Sequence, residues 1–376
     1  MMGLLTGSSP TESLQVVAGP EDPGDAWDAF VASHPAGHLM QSRAWARVRK
    51  DTGWQPLFLR LEDSGGIRAA ALALRRGIPG TGLGLLYIPR GPVLDSGDRR
   101  LVEALGEALR RLARDCGGFL VQADPGIPEA RQDVHAALET MGFRRQEKHG
   151  LFRILQPRWV MRIPLDRYGG PEGLLAALPH KTRYNIRLAG RKGVTVVPRT
   201  DGAACRAFHR LLWAAGRAKG FPVRGLRFHE AIWRGCVRAG MGEYLFAEHQ
   251  GRTLAALQVL RFGPTAWYMY GASTEEDRNL MPTYLLQWEG IRRAWDVGCT
   301  CYDMRGVASS DPRPEDGEYG VYDFKRKFNA ELVRFLGEYD LVVRPRAYAA
   351  WRAAEAAIQR PAAWAFRLRQ RFGGSR

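Results

Sequence analysis

The sequence predicts an α/β (α+β) protein made of two tandem copies of one fold with mixed sheets, and two observations carry that prediction. Apolar runs at 54–60, 67–74 and 84–88 precede a helical pattern over 99–116 and another run at 119–123. The same order returns as runs at 243–248, 252–262 and 266–270, a helical pattern over 283–297 and a run at 300–304. Two helical patterns precede each copy, so the repeat has the size of a whole domain. A duplicated fold offers a cleft between its copies, where substrates bind.

The elements follow in order. Segments 26–34 and 43–50 are helical patterns separated by a Pro/Gly turn. Segment 128–141 is an amphipathic helix, with Pro128 suited to its first turn and Gly142 to its stop. Segment 152–165 alternates as a strand broken by Pro157, and 171–178 is a short helix. "HKTRYNIRLAGRKG" (180–193) is a basic helix carrying Lys181, Arg183, Arg187, Arg191 and Lys192. It reads as a phosphate-contacting helix with Tyr184 and Asn185 interleaved, or as a solvated face. Helices over 202–219 and 227–238 lead into the second copy, where "EHQGRT" and "FGPTAW" are turns of an antiparallel meander. By strict alternation Tyr268 and Tyr270 share one face, Asp303 and Arg305 can pair, and Cys299 and Cys301 point the same way. Segment 309–320 is a long acidic loop, "YDFKRKF" follows it, and 333–343 reads as one strand. The stretch 344–376 interleaves arginines with Trp351, Trp364, Phe366 and Phe372. It fits a basic amphipathic element on an anionic membrane, or a tail with a few packing aromatics.

Composition narrows the partners. Lys and Arg number 55 against 39 Asp and Glu, a formal charge of +16. Such a field favours a polyanion: nucleic acid, a nucleotide-linked substrate or an anionic membrane. The 5 cysteines are scattered without zinc spacing and read as reduced, cytosolic thiols. The start of the chain does not read as a signal peptide, and no apolar run approaches the ~20 residues of a membrane span. There is no G-x-x-x-x-G-K-[ST], H-E-x-x-H or G-x-S-x-G motif, and the histidines show no metal spacing. No metal or cofactor is expected.

The strand–strand–strand–helix–strand order resembles the acetyltransferase (GNAT) fold, yet its acyl-CoA signature is missing; "RLAGRKG" is the nearest approach. More specifically, the chain resembles the Fem family of aminoacyl-tRNA-dependent transferases that build peptidoglycan interpeptide bridges. The resemblance rests on "QSRAWARVRKDTGW", "QPRWVMRIPL", "HKTRYNIRLAGRKGV", "AWYMYGAS", "YDMRG" and "VYDFKRKFNAELVRFLGEYDLVV", in the family's order across nearly the whole chain. It implies two GNAT-like domains, 14–157 and 158–332, with 333–358 returning to the first and 359–376 left as a basic tail. Between Cys205 and Tyr270 there is no room for the coiled-coil arm of some members, so the chain looks like an arm-less, FemX-like branch.

The implied reaction moves an amino acid from aminoacyl-tRNA to the stem-peptide amine of UDP-MurNAc-pentapeptide or lipid II. Aminoacyl-tRNA is then a co-substrate, and the protein works in the cytoplasm, with peripheral membrane contact through its basic tail. Acyl transfer from ester to amine needs a neutral amine, a stabilised oxyanion and aligned substrates. By resemblance, Lys325 stabilises the oxyanion with Phe324 beside it, and Asp124 holds or deprotonates the amine. Arg49 and Arg224, again by resemblance, bind the acceptor's diphosphate; Tyr270 and Arg305 read as lining its site, or as a packing tyrosine and a core-rim ion pair. Lys181, Arg183 and Arg187 are the tRNA candidates. Phe228 lacks a hydroxyl that some relatives offer, which removes one acceptor contact. Rival readings are tRNA-dependent transfer to a small molecule in secondary metabolism and a non-catalytic RNA- or membrane-binding relative.

Overall fold

A computed structural model describes residues 14–146, 156–308, 312–314 and 319–354. The first half runs β1 (Gln15–Gly19), α1 (Asp25–Ser33), α2 (Arg43–Lys50), β2 (Gln55–Asp63), β3 (Gly66–Gly77), β4 (Gly84–Arg90), β5 (Val93–Leu94), α3 (Arg99–Asp115), β6 (Gly118–Pro125), α4 (Gln132–Thr140) and β7 (Arg144–Arg145). The second runs β8 (Trp159–Pro164), α5 (Pro171–Ala177), α6 (His180–Arg191), β9 (Thr195–Arg199), α7 (Gly202–Lys219), α8 (Leu226–Ile232), β10 (Gly242–His249), β11 (Arg252–Phe262), β12 (Thr265–Ser273), α9 (Pro282–Asp296) and β13 (Cys301–Val307). The chain closes with α10 (Tyr319–Arg326), β14 (Glu331–Arg334) and β15 (Tyr339–Val342).

Local chemistry sets the helix starts. Ser42, Asp98 and Asp201 accept from the third backbone N–H of α2, α3 and α7, satisfying donors that no helical carbonyl can reach. Pro171 and Pro282 open α5 and α9, where a missing N–H costs nothing. Gly220, at φ 75°, ends α7 in the left-handed region.

Two mixed sheets result, ordered β1-β2-β3-β4-β6-β15-β7 and β14-β8-β13-β12-β11-β10-β9, with β5 paired to β3. Each contains one parallel pair inside an antiparallel frame, β4 with β6 and β12 with β13. The outer face of the first sheet packs on α3 and α4, and that of the second on α6 and α9. Between the sheets α1, α2, α7 and α8 form a shared layer. There Trp27, Trp45, Val48, Phe58 and Leu72 join Phe208, Ile232, Phe246 and Trp267 in one apolar core. The two copies are therefore fused through buried surface. Contact is close where Gly235 meets α2, since a Cβ there would lie 2.8 Å from Val48 Cγ2 and 3.0 Å from the Ala44 carbonyl.

Several expectations change. The expected strand over 333–343 is two strands in two sheets: β14 pairs with β8, whereas β15 pairs with β6 and β7. The helix expected from Pro128 begins at Gln132, and Pro128 instead bridges to Phe335. Cys299 precedes β13 rather than lying on it with Cys301. Tyr268 and Tyr270 do not share a face. Gln258 pairs with Tyr270 but Val259 with Tyr268, so Met269 is an extra residue and the alternation slips by one. Tyr268 then packs with the outer core and Tyr270 with the shared core. Among the described residues there is no coiled-coil arm. Most of the acidic loop 309–320, the start of the strand expected over 152–165 and the tail from 355 lie outside the described residues. Within the described part of the tail, 345–354 is helical and Trp351 packs on Phe119 at 5.8 Å between ring centroids.

Candidate functional site

The polar ends of both parallel pairs meet at the seam between the sheets. Arg49 ends α2 with its guanidinium over the Trp54 ring, 4.9 Å from the centroid, and Arg76 of β3 lies 5.5 Å from the same ring. Arg224, from the turn before α8, stacks on Phe228 at 4.9 Å. Burial, and then the charge of Arg224, push the pKa of Arg49 down to about 10. Among the described residues Arg49, Arg76 and Arg224 form no ion pair with a carboxylate, and they rest on aromatic faces instead. Clustered arginines without compensating carboxylates make a site for an anion, and their planar forks suit phosphate oxygens.

Asp124, at the end of β6, is only 2% exposed. Its Oδ2 accepts from the Tyr87 hydroxyl at 2.8 Å and its Oδ1 from the Arg90 backbone N–H at 2.8 Å. Arg90 sits in the left-handed region at φ 57° and donates from its guanidinium to the Pro157 carbonyl at 2.7 Å, tying the first sheet to the segment before β8. Burial raises the Asp124 pKa, with Arg90 opposing, and burial raises that of Tyr87 well above its usual value. Sequence gives no signal for either residue: Tyr87 lies in the apolar run 84–88, and Arg90 falls just beyond it.

The two copies differ at their parallel pairs. In the first, β4 and β6 stay paired from Gly84–Gly118 to Arg90–Pro125. In the second, β12 and β13 pair only over Thr265–Cys301, Ala266–Tyr302 and Trp267–Asp303, and then separate. Bulges on both strands accompany the separation, one at Met269 and one between Asp303 and Gly306. Arg305 lies in the second bulge at φ 64°, a left-handed conformation that the Asp303 carboxylate supports by accepting its backbone N–H at 2.7 Å. The expected Asp303–Arg305 ion pair is absent. The other oxygen of Asp303 takes Arg162 at 2.9 Å, and the Arg305 guanidinium donates to Gln156 Oε1 at 2.8 Å.

Lys325, on α10, is 4% exposed and donates from Nζ to the carbonyl of Gly306 at 2.6 Å and that of Arg305 at 3.3 Å. Its ammonium is thus fixed against the bulge of β13. Phe324 packs edge-on to Tyr284 and Phe328, at 5.7 and 5.3 Å between centroids. Tyr270 feels the charges of Arg305, Arg224 and Arg49 together, although burial raises its pKa overall. Arg305 likewise acts on Asp124. Arg49, Arg224, Tyr270, Arg305, Lys325 and Asp124 therefore form one linked group drawn from both sheets.

The residues proposed for tRNA lie elsewhere. Helix α6 packs on the outer face of the second sheet through Ile186 and Ala189. Lys181 and Arg187 are exposed there, while Arg183 caps α5 by donating to the carbonyls of Ala176 and Leu178 at 2.7 and 2.5 Å. Behind Arg224, His229 is fully buried, and neither ring nitrogen has a hydrogen-bond partner. Burial, His209 and Arg224 push its pKa down to about 4. Among the described residues no group of three or more His, Cys, Asp or Glu is placed to hold a metal, and no helix is long and apolar enough to cross a membrane.

Comparison with known proteins agrees with this architecture. The chain is 26% identical over 386 residues to a lipid II:glycine glycyltransferase of Staphylococcus epidermidis, covering 85% of this chain and 92% of that one. Among solved structures, FemX superposes with a TM-score of 0.79 at 24% identity, covering 86% of this chain and 97% of FemX. A tandem GNAT protein from the clavulanic acid biosynthesis pathway shares the fold at a TM-score of 0.51 and 16% identity, covering 88% of this chain and 99% of that one. The FemAB family profile matches residues 24–234 and 240–356. With nearly its whole length so matched, and with two GNAT-like halves fused at a common core, this chain belongs to the FemAB family.

Proposed function

We propose that the protein is an aminoacyltransferase that moves an amino acid from aminoacyl-tRNA to the stem-peptide amine of a peptidoglycan precursor, building a cell-wall interpeptide bridge. The observation that carries this reading is the one-sided opening between β12 and β13, with Lys325 fixed at its edge against the Arg305 and Gly306 carbonyls. Family membership and relatives named for glycyl transfer to lipid II support it, and favour the lipid-linked precursor over the UDP-linked one. The cytosolic setting and the membrane contact of the tail are parts of the same reading.

Arg49 and Arg224 hold the acceptor's diphosphate, which fixes the rest of the acceptor along the seam. The acceptor amine attacks the ester carbonyl of the aminoacyl group lying in the opening. Negative charge then collects on the carbonyl oxygen. The Lys325 ammonium, already held by two backbone carbonyls, meets that charge without having to reorganise. The C–N bond forms as the C–O bond to the ribose breaks, and the proton lost by the amine passes to the leaving hydroxyl. Asp124 holds β4 and β6 together at the floor of the site, and its position beside Arg305 keeps it within reach of the incoming amine's charge. Phe324 walls the opening, and Tyr270 and Arg305 line it. Lys181 and Arg187, on their separate face, contact the tRNA body.

The direct test supplies tRNA pre-charged with labelled amino acid together with purified acceptor. Label should move to the acceptor, and ribonuclease treatment before mixing should abolish the transfer. Transfer that survives ribonuclease, or label reaching only small molecules, would contradict the reading.

A further inference from the structure

Beside Arg224 runs an open groove of about 740 Å³ between α7 and the start of α8, within the size range of small-molecule sites. Its floor is largely apolar, formed by Trp213, Ala214, Ala218 and Leu226. Trp213 is 47% exposed. A large aromatic left open on a helix face beside other apolar side chains is a mark of a binding surface. Arg210 and Arg217 form the rim. With Arg206, they and Trp213 recur along one side of α7, and none of these arginines has an ion-pair partner among the described residues. The groove is joined to the anion site directly. Its wall residue His209 holds the backbone carbonyl of Arg224 at 3.2 Å, and its wall residue Gly225 follows Arg224 in the chain.

An apolar trough that begins at an anion-binding arginine and has a basic rim matches one ligand chemistry: a diphosphate esterified to a hydrocarbon chain. We propose that this groove is a subsite for the first prenyl units of a prenyl-diphosphate-linked acceptor, seated while its diphosphate rests on Arg224 and Arg49. The proposal rests on the functional reading above and deepens it. A UDP-linked acceptor carries a uridine where the prenyl chain would lie; its uracil can stack on Trp213 but leaves Ala214, Ala218 and Leu226 uncovered, so the groove favours lipid-linked precursors. A nucleic acid would use the same arginines and could stack a base on Trp213, but it has no aliphatic segment to cover Ala214, Ala218 and Leu226.

Calorimetric titration of the full chain with farnesyl diphosphate and with inorganic diphosphate tests this without relying on catalysis. Farnesyl diphosphate should bind at least about tenfold more tightly. Trp213→Ala and Ala218→Asp, both on the solvent side of α7, should each remove that advantage while inorganic diphosphate binds as before. Equal affinities in the unaltered chain, or an advantage that survives both substitutions, would overturn the proposal. So would a loss confined to aminoacyl-tRNA binding, which would assign the groove to RNA. A chain that keeps the prenyl advantage but transfers no amino acid would retain the groove and sink the functional reading instead.

Discussion

Arg49, from the first half of the chain, and Arg224, from the second, lie close enough across the seam that the charge of one depresses the pKa of the other. Neither is relieved by a carboxylate among the described residues. Folding thus holds two like charges together, and the arrangement is eased when an anion binds. A charge-assisted contact contributes about 1.5–3 kcal/mol. Arg224→Ala should therefore raise the acceptor KM roughly 10–100-fold while kcat changes little. Its thermal midpoint should stay level or rise, because the repulsion is gone. Steady-state kinetics and a melting curve read both effects. A fall in kcat at constant KM would move Arg224 from binding to chemistry.

Lys325 tests the opposite split. Lys325→Met keeps much of the side chain's length and apolar stem but loses the ammonium. It should lower kcat about 10²–10³-fold, the usual cost of losing one oxyanion donor, with acceptor KM nearly unchanged. Single-turnover rates with pre-charged tRNA give the answer. A rate within a few-fold of the unaltered chain would remove Lys325 from the chemical step.

Asp124 carries a structural role that must be separated from any chemical one. Asp124→Ala leaves the Tyr87 hydroxyl and the Arg90 N–H buried without their acceptor. Breaking one side of such a network costs about 3–5 kcal/mol, so denaturant midpoints should fall sharply. Asp124→Asn keeps an acceptor oxygen and should lose much less stability. If the Asn variant folds and still turns over within about tenfold, the carboxylate orders the floor of the site and is not the base.

His229 predicts an acid-sensitive fold. Its folded pKa of about 4 lies below the usual value of 6.5, so between these values the unfolded chain binds the extra proton. Stability is therefore fully present above about pH 6.5 and is lost as the pH falls towards 4, by an amount on the order of 3 kcal/mol. His38, held neutral by burial and by nearby arginines, adds to the same limb. His229→Phe should flatten the stability profile between pH 6.5 and 4 without abolishing the slope. An unchanged profile would show that His229 titrates freely.

Much of this was legible from sequence because it is local. The order of strands and helices follows apolar periodicity, and the motifs around Arg49, Arg224 and Lys325 stand in contiguous stretches. What could not be read depends on partners distant in the chain. The bulge at Met269, which puts Tyr268 and Tyr270 on opposite faces, arises from pairing with β11, and alternation alone cannot reveal it. Residues 333–343 look like one strand, yet β14 and β15 join different sheets because each finds a partner distant in the chain, β8 for one and β6 for the other. Asp303 turned to Arg162 rather than to its near neighbour because β8 is its neighbour in the sheet. The trough beside Arg224 leaves no mark in the sequence for a related reason, since Trp213 and Leu226 are brought together only by the packing of α7 on α8.

The measurement that bears most directly on the central claim is the mass of lipid II after incubation with this protein and a mixture of charged tRNAs. A mass increase of one amino-acid residue on the stem peptide is expected, dependent on the tRNA and slowed about 10²–10³-fold by Lys325→Met. No increase with any charged tRNA, on lipid II or on the UDP-linked pentapeptide, would contradict it.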